Sequence, residues 1–136
     1  MASELKVDKF TGVTTAGSIL VTGEGNSTTT NLQQGLCKAH AHLDMTGTAT
    51  LEGSFNISGV TDSGTGQFTL TISNDMANAT YSFSVGFNDQ DSDIGPVLKV
   101  TSESGLQTGQ ISFQKKENNS LVDCDVNCVH IMGDLA

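Results

Sequence analysis

The chain has 136 residues and a formal net charge of −9, from 15 acidic and 6 basic side chains. So few lysines and arginines cannot neutralise a run of phosphates, which excludes nucleic acid as a partner and disfavours an anionic membrane surface. Charged residues make up only 15% of the chain, against 15 glycines and many Ser, Thr and Asn. That balance excludes a helical protein, whose surface needs Glu, Lys and Arg, and favours strands joined by tight turns.

The first residues, Met1-Ala2-Ser3-Glu4-Leu5-Lys6, carry no apolar run of the secretory type, and no apolar stretch has the length of a transmembrane helix. The protein is therefore expected to be made and assembled in a cytoplasm, without membrane insertion. Residues 1–35 differ from the rest. Leu5 and Val7 alternate with polar residues up to a turn at Thr11-Gly12, and a second strand-like run, Ser18 to Thr22, ends at Gly23-Glu24-Gly25. Neither run has enough apolar side chains to build a core, and an isolated hairpin is marginal in water. Residues 1–35 are thus predicted to be an extended β arm or stem. It would be ordered by other copies or by a larger body, through Leu5, Val7, Ile19 and Val21. Asn26 to Thr30 is polar and predicts a linker. Leu32 to Leu36 predicts one helical turn, capped by Thr30 or Asn31 and ended by Gly35.

From Leu36 to the end, short alternating runs separated by turn residues take over. Strands are predicted at Lys38–Leu43, Ser54–Val60, Phe68–Ile72, Tyr81–Phe87, Val97–Thr101, Gln110–Lys115 and Val126–Met132, with a turn over Thr61–Gly66. Phe68, Leu70 and Ile72 share one face of their strand, as do Tyr81, Phe83, Val85 and Phe87 of theirs. Such period-2 alternation marks half-buried antiparallel strands, and about seven of them predict a two-sheet sandwich. The fold class expected is all-β: a jelly-roll-like antiparallel sandwich over residues 36–136 with the β arm in front of it.

The block Ser54-Phe55-Asn56-Ile57-Ser58-Gly59-Val60-Thr61-Asp62-Ser63-Gly64-Thr65-Gly66-Gln67-Phe68-Thr69-Leu70-Thr71 resembles a strand–turn–strand pattern of bacteriophage tail-fibre proteins, including those of cyanophages. Met76-Ala77-Asn78-Ala79-Thr80-Tyr81 is similar to that family's step into the next strand. Asn31 to Leu36 with Lys38-Ala39 is similar to the segment leading into the domain, and Val129 to Asp134 to the terminal strand. Ser3 to Lys9 and Gly17 to Gly25 look like fibre stem. The resemblance implies a non-enzymatic virion protein, usually a homotrimer, displayed for host attachment and in contact with other virion proteins of the tail. Two departures stand out: the chain is short for a fibre, and His40 stands where the family commonly has tryptophan. Its shortness keeps open an alternative place on the capsid, as a decoration or cement protein.

All the cysteines and histidines fall in two clusters, Cys37-x-x-His40-x-His42 and Cys124-x-x-x-Cys128-x-His130. On strands, His40 and His42 share a face, as do Cys128 and His130. First and last strands of a sandwich often pair, which would gather His40, His42, Cys128 and His130 as soft ligands for zinc or iron. The alternative is a core Cys128 with histidines at the surface or along a trimer axis. Asn88 to Gly95 partly resembles a calcium loop, but its glycine falls one place late and Val100 stands at the closing position, which predicts a plain acidic turn. No serine sits in a nucleophile elbow, and Glu24, Glu52, Glu103 and Glu117 form no sequence-level acid–base pair. No catalytic residue and no cofactor are expected. A host surface glycan is a further candidate partner, with Tyr81 or a Phe stacked on sugar.

Overall fold

The structure, a computed structural model, describes residues 4–12, 19–23, 28–87, 97–100, 105–117, 119–125 and 127–136. It divides into two compact units, Met1–Gly35 and Leu36–Ala136.

In the first unit, β1 (Leu20–Thr22) pairs antiparallel with β2 (Thr29–Asn31), Leu20 opposite Asn31 and Thr22 opposite Thr29. The segment expected to be a linker thus ends in a strand, because the backbone groups of Leu20–Thr22 need a ladder partner and Thr is well suited to supply one. The helical turn is α1 (Leu32–Gly35), and its cap is Asn31. The Asn31 Oδ1 accepts from the Gln33 and Gln34 amides at 2.8 and 3.3 Å, satisfying donors that the helix itself leaves open. Glu4 to Gly12, by contrast, carries no strand. Alternation there lacks what makes a strand, a neighbouring ladder within the unit.

The second unit is a sandwich. Its strands are β3 (Cys37–Asp44), β4 (Thr50–Phe55), β5 (Ile57–Gly64), β6 (Gln67–Ile72), β7 (Ser82–Phe87), β8 (Val97–Val100), β9 (Gln110–Glu117), β10 (Ser120–Leu121) and β11 (Asn127–Met132). One sheet has the order β4-β3-β11-β7; the other has β10-β9-β6-β5, with β8 also on β9, and every pairing is antiparallel. Between the sheets, Ala39, Ala41 and Leu43 of β3 and Val129 and Ile131 of β11 meet Phe68, Leu70 and Ile72 of β6 and Ile111 and Phe113 of β9 in one core. Small side chains on β3 leave room for the aromatic ones opposite. The Phe113 ring lies 5.3 Å from Phe68 and 5.6 Å, nearly edge-on, from Phe83.

Two features depart from the sequence reading. The run Ser54–Val60 is two strands on different sheets, broken at Asn56, whose φ of 55° turns the chain out of one sheet and into the other. Asn tolerates this left-handed conformation better than other side chains do. Its amide then holds the corner. Nδ2 donates to the carbonyls of Lys38 and Asn74, both at 3.1 Å, and Oδ1 accepts from the Asn74 amide at 2.8 Å and side chain at 2.9 Å. The turn expected over Thr61–Gly66 is shorter, because β5 pairs with β6 as far as Gly64 opposite Gln67. Gly66 closes it at φ 65°, where a Cβ would stand 2.7 Å from both the Lys115 carbonyl oxygen and the Val122 nitrogen.

Candidate functional site

Register decides which side chains stand together outside the four-stranded sheet. Residues directly opposite in an antiparallel pair lie on one face. His40 is opposite Phe55 of β4 on one side and His130 of β11 on the other, and His130 is opposite Ser84 of β7. The next row reads Gly53, His42, Cys128, Gly86 across the same four strands. Ala39, Ala41, Val129 and Ile131 point into the core, so the intervening residues face out. The four residues singled out as ligands therefore do form one array on the outer face, in two cross-strand pairs.

The pairs differ in their surroundings. His40 and His130 are both exposed, with ring centres 6.2 Å apart and planes at 33°. On its other side His40 stacks against Phe55 at 6.1 Å and 23°. His42 is half-buried, and its Nδ1 lies 3.0 Å from Oε2 of Glu52. Cys128, beside it, is a half-buried free thiol. Among the described residues no group of three or more His, Cys, Asp or Glu is arranged to hold a metal ion. The four candidate ligands read from the sequence thus share a face, without three or more of them gathered on one point.

Cys124 stands apart from this face. It is buried and its thiol donates to Asn127 Oδ1 at 2.9 Å. Burial pushes the Cys124 thiol up, against the opposing pull of Lys115, which is only 2% exposed. Cys37 is exposed, and its Sγ donates to the Ala39 carbonyl at 3.1 Å. The calcium-like segment Asn88 to Gly95 lies outside the described residues, as do Glu24 and Glu103 and the side chain of Glu117. Tyr81 is unavailable for stacking on sugar: it is buried, and its hydroxyl donates to the Gln107 carbonyl at 3.0 Å. Among the described residues of the second unit, Phe55 offers a phenyl ring to solvent, at 56% exposure. Sequence reasoning missed Phe55 and Glu52 as members of the face. The signal that would have found them is the β3–β4 register, which the hidden corner at Asn56 obscured.

On the outer face of the other sheet the polar side chains pair among themselves. Thr69 Oγ1 and Ser112 Oγ are 2.8 Å apart, and Gln114 Nε2 donates to Gln67 Oε1 at 3.0 Å, along an open depression of about 260 Å³. In the first unit, Leu5 is 73% exposed, Val7 49% and Val21 51%, while Ile19 is half-buried. Phe10 and Leu20 are also exposed there. The alternation that selected every second residue passed over both.

A scan of protein-family models, a comparison with curated proteins and a comparison with solved structures each find no match to this chain.

Proposed function

We propose that the chain is a non-enzymatic structural protein of a bacteriophage virion, a short tail-fibre-like protein that works as a homotrimer in host attachment. The observation that carries the reading is the solvent exposure of Leu5, Val7, Phe10, Leu20 and Val21 in a unit whose described residues include no buried core. Apolar side chains gathered in so short a segment gain by burial, at about 25 cal/mol for each Å² removed from water. A strand ladder of three residues per strand also leaves open edges that invite further pairing. Copies of the same segment satisfy both demands at once, and the resemblance to fibre stems fits that arrangement. The sandwich would then face outward to meet the host surface, with other virion proteins holding the arm.

Light scattering on the full-length protein is expected to give three times the 14.2 kDa chain mass. Replacing Leu5, Phe10 and Val21 with serine should dissociate the trimer without unfolding the sandwich. A stable full-length monomer would overturn the proposal. Antibody labelling of intact particles is expected at the tail; labelling over the capsid shell would instead favour decoration or cementing of the shell.

A further inference from the structure

We infer that His40 and His130 form a two-point chelate for one borderline divalent transition-metal ion, such as zinc, nickel or cobalt, within a single chain. Three observations carry this. The two residues are directly opposite on paired strands, both rings are exposed on the same face, and their centres are 6.2 Å apart. With metal–nitrogen bonds of about 2.0–2.1 Å, and about 1.1 Å from nitrogen to ring centre, two imidazoles on one ion have centres roughly 5 Å apart at a tetrahedral angle and 6.4 Å in line. The observed separation falls between these limits, so turning two exposed rings by about 1 Å completes the chelate. Imidazole selects borderline transition metals over calcium and magnesium, which prefer oxygen.

The surroundings favour this pair over its neighbour. Stacking on Phe55 already orders the His40 ring, which lowers the entropy lost on binding. A Cβ built on Gly53 or Gly86 in the adjacent row would meet nothing within 4 Å, so water has access to complete the coordination shell. His42 has its Nδ1 against Glu52, Cys128 is half-buried in the adjacent row, and among the described residues no third His, Cys, Asp or Glu is gathered with the pair. The site is therefore a histidine pair without thiolate, open to solvent and of modest affinity.

Titration of the full-length protein with zinc chloride by calorimetry is expected to give one ion per chain. His40→Ala and His130→Ala should each weaken binding at least about tenfold, while His42→Ala and Cys128→Ala change it less than about twofold. His130→Gln, which keeps a polar side chain on the surface, should match His130→Ala in lost affinity and the parent in melting temperature. The cobalt complex should lack the intense near-ultraviolet absorption of a thiolate ligand. Unchanged zinc affinity in His130→Ala, no heat beyond a buffer blank, loss of binding in Cys128→Ala, a thiolate band, or one ion per three chains would each overturn the within-chain chelate.

Discussion

The corner at Asn56 gives the sharpest test of how the sandwich is built. Two substitutions separate its two roles. Asn56→Gly keeps the left-handed backbone available but removes the side chain, and with it four hydrogen bonds to Lys38 and Asn74. Net hydrogen-bond contributions run from about 0.5 to 1.5 kcal/mol; taking the low end for this half-exposed site, the loss is about 2 kcal/mol. Greater freedom of glycine in the unfolded chain adds roughly 0.5 kcal/mol. Asn56→Ala loses the same bonds and, relative to glycine, holds a Cβ at φ 55° without the local polar contacts that ease this conformation for asparagine, which costs about 1–2 kcal/mol and exceeds the entropy it saves. The expected order of stability is parent, then Asn56→Gly, then Asn56→Ala, with the last about 3–4 kcal/mol below the parent. Urea unfolding followed by circular dichroism measures this. With a slope of about 2 kcal/mol/M, the midpoint should fall by about 1 M for Gly and more for Ala, the slope itself unchanged. If alanine is as stable as glycine here, or if both lie within about 0.5 kcal/mol of the parent, the side chain is not what holds the crossing between sheets.

Two further outcomes follow from the same physics. Gly66→Ala should destabilise by about 3 kcal/mol or more, since its Cβ would collide with backbone atoms of Lys115 and Val122 that have no freedom to withdraw; chemical denaturation measures it, and a loss under about 1 kcal/mol would contradict the close approach. Asp62 accepts from the Gly64 amide at 2.8 Å and the Ala49 amide at 3.1 Å, which holds its carboxyl below the ordinary value of 3.8. A carboxyl depressed in the folded state contributes stability that is present above 3.8 and is lost as pH falls through the lower folded value. The stability gap between the parent and Asp62→Asn should therefore be open near neutrality and close in acid, and a gap that does not change with pH would refute the assignment.

The exposed histidine face and the apolar amino-terminal unit carry two readings that stand independently. The attachment reading depends on burial of Leu5, Phe10 and Val21 between chains. The metal chelate depends only on the pairing of β3 with β11 inside one chain, and holds for a monomer or a trimer alike.

Period-2 alternation by itself determined the inward face of β6. Phe68, Leu70 and Ile72 are core residues because side chains on a strand reverse direction at every residue, whatever the strand pairs with, whereas only the packed sheets decide that Val129 and Ile131, not Cys128, face inward on the last strand. The helical turn at Leu32 was legible too, with its cap narrowed to Thr30 or Asn31, because it is decided by contacts two or three residues apart; the structure selects Asn31. Other features rest on contacts distant in sequence. Asn56 gives no periodic signal for a corner, since its partners are Lys38 and Asn74, each 18 residues away. Lys115 continues the inward row of Ile111 and Phe113, and only the packed structure places it among buried residues beside Cys124. Spacing could put His40 with His42 and Cys128 with His130. Only the ladder between β3 and β11 could set His40 against His130 and His42 against Cys128, because register across strands is fixed by the whole sheet.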